Sequence, residues 1–273
     1  MIVIGTAGWS VPRLVAASFP GEGTQLQRYA RMLSGAEINS SAYREHSATS
    51  YAGWARQTPR GFRFAVKLPQ AITHDARLRG TRRALDAFLD SLTGLGSRLG
   101  PLVVQLPPSL DFEPRAAKAF FSLLRLRHAG DVACEPRHPS WFDDKANDLL
   151  VNHRIARIAA DPAVVPEAAR PGGWPGLVYY RLHGSPRKYW SIYEPERIAQ
   201  WARELASLPR ATRAWCVFDN TAASGAAGNA LQLVEALGQA AKTRRAASGV
   251  SSKPRPGRSG RVSLPSRSSN RSA

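Results

Sequence analysis

Residues 101–141 read PLVVQLPPSLDFEPRAAKAFFSLLRLRHAGDVACEPRHPSW. The segment 102–106 is apolar except for Gln105, and Pro107 and Pro108 stop it, because proline donates nothing to a strand ladder. The segment 114–127 opens on a proline, which the first turn of a helix tolerates, and it carries apolar residues at helical spacing. In the segment 131–135, residues 132–134 are apolar and Glu135 ends the run. A strand, a helix and a second strand follow in line. Strands this uniformly apolar are covered on both faces, as in a parallel sheet under helices.

The same alternation extends both ways. Strand-like runs fall at 2–5, 36–39, 62–67, 102–106, 131–135, 155–160, 177–182 and 214–218. Helical patterns fall at 25–33, 82–95, 114–127, 194–208 and 226–241, with a weaker one at 47–57. Eight repeats predict an α/β protein, a single parallel (β/α)8 TIM-type barrel over residues 1–240. The rival, a doubly wound open sheet, usually has a glycine-rich phosphate turn after its first strand, and here that place reads GTAGWS.

The chain has 273 residues and a net charge of +18. Half of that excess lies in 241–273, which carries Lys and Arg among Ser, Pro and Gly and no acid. Such a segment buries too little apolar surface to offset its ordering entropy, so a disordered basic C-terminal tail is expected. A weak contact with nucleic acid through counterion release and a plain solubilising role are both open for it. No apolar run approaches the ~18 residues of a membrane span, and the N-terminus lacks a basic, then apolar, leader pattern. A cytoplasmic protein with no membrane contact is expected. Cys134 and Cys216 lie inside apolar runs and read as buried free thiols.

Each apolar run ends in chemistry. The ends carry Thr6 and Trp9; Glu37 and Asn39; Lys67; Gln105; Glu135, Arg137 and His138; Asp161; Arg181 and His183; Asp219 and Asn220. In a parallel barrel these ends meet on one rim, where barrel enzymes place their sites. Glu37, Glu135, His183, His138 and Lys67 are the candidate catalytic groups. Asn39, Tyr43, Gln105, Arg137, Trp141, Arg181, Asp219 and Asn220 are the candidate substrate contacts. Glu37 reads either as a base or as one half of an internal salt bridge to Lys67, Arg137 or Arg181. Lys67 reads as a fixed charge for an anion or, if desolvated, as a Schiff-base lysine. The loop RKYW at 187–190 reads either as a basic, aromatic cover over the rim or as ordinary surface.

Together these residues suit an enzyme acting by proton transfer or hydrolysis on an anionic or polyhydroxylated small substrate. Two alternatives remain. One is a metal-dependent phosphodiesterase or isomerase using Glu37, Glu135, Asp161, His183 and Asp219. The other is a nucleic-acid or nucleotide-binding module using the loop and the tail. No cofactor is expected, and Lys67, Arg137 and Arg181 in the same place would repel a divalent metal.

The stretches GTAGWS, EINSSAYR, FAVKLPQAITH, GPLVVQLPP, CEPRHPSW, YYRLHG and VFDNTAASGAAGNA occur in this order. In that order the chain resembles the domain-of-unknown-function family 72, the YecE-like proteins, over roughly residues 1–238. The resemblance implies a barrel of the triosephosphate-isomerase type and no settled activity or cofactor. Ala42, Pro136 and Asp219 stand where that family usually has other residues, and these changes leave the charged rim intact.

Overall fold

The computed structural model describes residues 1–249, with side chains over 1–240. The fold is α/β with parallel sheets. One sheet has the order β1 (Ile2–Thr6), β10 (Arg213–Phe218), β9 (Leu177–Leu182), β7 (Ala159–Asp161). The other has the order β2 (Gly35–Ile38), β3 (Arg63–Lys67), β4 (Leu99–Gln105), β5 (Val132–Glu135), β6 (Ala156–Arg157), β8 (Gly172–Gly173). Every pair is parallel except β6 with β8. The helices are α1 (Gln25–Met32), α2 (Ala48–Arg56), α3 (Arg82–Ser91), α4 (Pro114–Arg127), α5 (Asp144–Asn152), α6 (Pro195–Ser207) and α7 (Gly225–Gly249).

The two sheets touch at both margins. Ala7 bridges to Glu37, and Gly8 N–H donates to the Glu37 carbonyl at 2.8 Å. A Cβ on Gly5 would lie 2.0 Å from the Gly35 carbonyl oxygen, so β1 and β2 approach this closely only because residue 5 is glycine. At the other margin only Ile158 separates β6 from β7. Its N–H donates to Cys134 on β5 at 2.8 Å, and His183 N–H donates to Asp161 at the end of β7 at 2.7 Å.

Strand alternation sorts the side chains into two cores. One face of each strand packs under the helices, with Phe64, Val66, Leu102, Val104, Cys134, Tyr180, Cys216 and Phe218 in the larger cluster. The other face forms a separate cluster that includes Val3, Ala65, Val103, Ala133, Tyr179, Trp215 and Val217. Two positions further along that second face stand Lys67, Gln105, Glu135, Arg181 and Asp219. The polar strand ends therefore sit directly on an apolar floor. Cys134 and Cys216 are free and buried, and burial pushes both thiols up from their ordinary range.

Four sequence expectations need correction. The alternation fails once, since no α-helix lies between β7 and β9 among the described residues. Pro162, Pro166, Pro171 and Pro175 allow only a 3-10 turn at Pro166–Ala169 before the antiparallel β8. Helix α5 was missed because its stretch is mostly polar, although Asp143 caps it by accepting from Ala146 N at 2.8 Å. The sixth strand is divided at Ile158. Helix α7 runs to Gly249, past the helix end expected at 241. The rest of the expected tail, 250–273, lies outside the described residues. Among those described, no helix is long and apolar enough to cross a membrane.

Candidate functional site

At the carboxyl ends of the strands, Arg181 is fully buried (0% exposed) among acids from three other strands. Its Nη2 lies 2.7 Å from Glu37 Oε1 and its Nε lies 3.1 Å from Glu37 Oε2. Nη1 donates to Glu135 Oε2 and, at 3.3 Å, to Gln105 Oε1, while Nη2 also reaches Asp219 Oδ2 at 3.1 Å. Tyr179, two residues earlier on β9, donates its hydroxyl to Glu37 Oε2 at 2.9 Å. Sequence reasoning missed Tyr179. Its signal was its parity, since 179, 181 and 183 share one face.

His183 bridges Glu135 and Asp219. Its Nε2 is 3.1 Å from Glu135 Oε1 and its Nδ1 is 3.0 Å from Asp219 Oδ2. The Tyr189 ring lies edge-on against the imidazole with centroids 5.6 Å apart, and the Tyr189 N–H donates to the His183 carbonyl. The loop after Gly184 thus covers this histidine.

The electrostatics follow from these contacts. Burial alone would raise the Glu135 carboxyl, but Arg181, His183 and Arg137 outweigh it and hold the group well below the usual carboxylate range. For Asp219 burial is likewise outweighed, here by the His183 hydrogen bond and by Arg181, so its carboxyl is lowered. Arg181 is pushed further above its ordinary range, because Glu37, Glu135 and Asp219 outweigh the cost of burying it.

Three cations stand beside this knot, and one of them, Arg137, joins it through Glu135. Lys67 is 3% exposed. Among the described residues its Nζ has no hydrogen-bond or ion-pair partner, and it lies 5.4 Å from the Tyr43 ring centroid. Burial first, then the Arg181 charge, lower the Lys67 ammonium to about 8, with Glu37 and Glu135 opposing and Arg137 adding. Arg137 donates from Nε to Glu135 Oε1 at 2.9 Å, yet its Nη2 is buried with no partner. Lys188, on the covering loop, is lowered by burial and then by Arg137. Asn39 Oδ1, at the end of β2, is also buried without a partner.

Other candidates lie elsewhere. Trp141 is 1% exposed and its indole N–H donates to the Leu110 carbonyl at 2.9 Å, so its faces belong to the core and not to a ligand. His138 caps the turn Pro139–Phe142: its Nδ1 accepts from Ser140 N at 3.3 Å and lies 2.8 Å from Ser140 Oγ. Asn220 is held by Ser191 and Asn229, with Nδ2 at 3.0 Å and 2.9 Å, and ties the covering loop to α7. Asp161 pairs with Arg197 at 3.2 Å, away from Arg181. Tyr43 is exposed at the margin (68%). Trp190 has one face under the Arg187 guanidinium at 4.4 Å. Among the described residues no three His, Cys, Asp or Glu side chains are gathered as a metal-binding set.

Comparison with known proteins places these residues in context. The sequence profile of the family described as "Protein of unknown function DUF72" matches residues 3–255. The UPF0759 protein YecE of Escherichia coli K12 is 32% identical over 177 residues, covering 63% of this chain and 62% of that protein's length. The UPF0759 protein YunF of Bacillus subtilis is 25% identical over 272 residues, covering 87% and 95%. Among solved structures, a DUF72 family protein of Thermotoga maritima superposes with a TM-score of 0.72 at 25% identity, covering 87% of this chain and 99% of the other. One from Enterococcus faecalis gives 0.73 at 21%, covering 87% and 96%.

Proposed function

We propose that this chain, which belongs to the DUF72 family, is an enzyme that binds an anionic small molecule beside Lys67 and Arg137 and transfers a proton on it. One observation carries the reading. The carboxylates of Glu37, Glu135 and Asp219 converge on Arg181 and His183, leaving the Lys67 ammonium with no ion pair among the described residues and Arg137, paired with Glu135 through Nε, with a buried Nη2 that has no acceptor. An anion entering there meets charge-assisted donors in surroundings drier than water, where such bonds are stronger. Lys188 on the covering loop adds to the same field.

Lys67, held to about 8, suits proton transfer near neutral pH. The positive groups around it favour negative charge developing on the substrate. His183 is a second proton carrier only when the loop at 185–191 lifts Tyr189 from its ring, a gating step of the kind many enzymes use. The reading takes the two sheets as one closed (β/α)8 barrel. The Ala7–Glu37 bridge, the near-continuity of β6 and β7, and the reach of Arg181 to acids on both sheets support that closure.

The test is calorimetric titration of the full chain with inorganic phosphate, glyoxylate and a neutral polyol. The two anions should bind and the polyol should not, and Arg137→Gln should weaken the anions about tenfold, the loss of one charge-assisted bond. Equal binding of polyol and anion, or none by either, overturns the reading.

A further inference from the structure

We infer that Lys67 is a nucleophile, condensing with the carbonyl carbon of an oxo acid whose carboxylate lies on Arg137. This rests on the reading of the site as an anion-binding mouth, and it names the substrate class.

Lysine on a protein surface is usually hydrated or paired. Lys67 is buried at the end of β3, and its Nζ has neither a hydrogen bond nor an ion pair among the described residues. Glu37 and Glu135 act on it electrostatically, but Arg181 holds both. The arrangement desolvates the amine in large part and leaves it without an ion pair, which is how a nucleophilic lysine is prepared. Its depressed basicity, caused first by burial and then by the Arg181 charge, leaves a working fraction of neutral amine near pH 8.

Two further atoms fit the same ligand. Arg137 Nη2 is a buried donor with no acceptor, and a carboxylate is the acceptor that a guanidinium takes best. Asn39 Oδ1 is a buried acceptor with no donor. Ile38 pairs with Val66, so Asn39 and Lys67, the next residue of each chain segment, leave their two neighbouring strands at the same level. The hydroxyl of the tetrahedral adduct formed at Lys67 supplies the donor that Asn39 lacks.

The step balances without an oxidant or reductant. The neutral Lys67 amine attacks the carbonyl carbon and a C–N bond forms. The carbonyl oxygen then leaves as water with the two protons of the amine, and a C=N bond remains. The imine draws electrons from the carbon next to it and so eases loss of a proton there to a base other than Lys67, which is then the imine nitrogen.

The experiment treats the full chain with glyoxylate and sodium borohydride, which delivers hydride to any imine, and maps the reduced adduct by peptide mass spectrometry. The expected result is one adduct per chain on Lys67. Its rate should rise severalfold between pH 7 and pH 9, phosphate should suppress it, and it should be absent in Lys67→Arg. Glyoxylate binding by calorimetry without an adduct at Lys67 overturns this inference and leaves the anion-binding reading standing. So does equal labelling of exposed lysines such as Lys118 and Lys145. An adduct at Lys67 that phosphate does not suppress counts against the Arg137 anchor. No binding of phosphate or glyoxylate overturns both.

Discussion

Arg181 grips Glu37 through two parallel hydrogen bonds, Nη2 to Oε1 at 2.7 Å and Nε to Oε2 at 3.1 Å, joining β9 of one sheet to β2 of the other. Two-toothed arginine–carboxylate pairs fix orientation as well as charge. Here the same guanidinium also takes Glu135, Asp219 and Gln105, so one side chain satisfies acids from three strands.

Removing that guanidinium strands buried negative charge. Arg181→Met should lower stability by about 3–5 kcal/mol, the usual cost of breaking a buried pair from one side. The double variant Arg181→Met/Glu37→Gln should recover part of the loss, because one of the stranded charges is gone. Urea denaturation at pH 7 measures both. A loss below about 1 kcal/mol would show that Arg181 is not the keystone of the cluster.

Acid should attack the same cluster. Glu135 and Asp219 have lowered carboxyl groups in the folded chain, so between their folded and unfolded values the unfolded state binds more protons. Their contribution is complete above the ordinary carboxylate range of about 4 and is lost as pH falls through the lowered folded values. Glu135→Gln should therefore flatten the fall of the unfolding midpoint below pH 4. An unchanged acid limb would contradict the assignment.

Lys67 has the opposite sign. Its folded value of about 8 lies below the ordinary lysine value, so charging it in the folded state costs stability at neutral pH. Lys67→Met should stabilise the chain at pH 7 by roughly 2 kcal/mol, and the gain should fade as pH rises from 8 toward 10. Denaturation at pH 7 and pH 10 tests this. A variant less stable than the parent at pH 7 would mean the ammonium is held by contacts that the structure does not contain.

How far the sequence disclosed this is clearest residue by residue. The strands were legible because runs such as 102–106 and 177–182 are apolar on both faces, and the polar residues ending them announced Lys67, Glu135, Arg181 and Asp219. Pairing was not legible: Glu37 had Lys67, Arg137 and Arg181 as possible partners, and only the folded chain gives it to Arg181. Trp141 beside Arg137 suggested a ligand platform, yet its indole N–H is held by Leu110, a residue of the preceding loop. His138 looked catalytic by proximity, but its backbone begins a turn and its ring caps it. Such outcomes depend on local turn geometry and on distant strands, which residue type alone does not encode.

Tyr179 was the clearest omission, and it yields a prediction of its own. Its hydroxyl is a neutral donor to the buried Glu37 carboxylate and its ring stacks on Trp215 with an interplanar angle of 1°. Tyr179→Phe keeps the stacking and removes the donor. It should cost about 1.5–3 kcal/mol, the range for a hydrogen bond to a charged group. Calorimetric unfolding of the purified variant would show it, and an unchanged transition would contradict the role.

The central claim is that an anion belongs between Lys67 and Arg137. The most direct measurement is a crystal structure of the full chain grown or soaked with glyoxylate at neutral pH. The account predicts density for the carboxylate on Arg137 Nη2, with Lys67 Nζ against the ligand and Arg181 still held by Glu37. Density for the ligand only elsewhere, with Lys67 Nζ and Arg137 Nη2 contacting nothing but water, would contradict it.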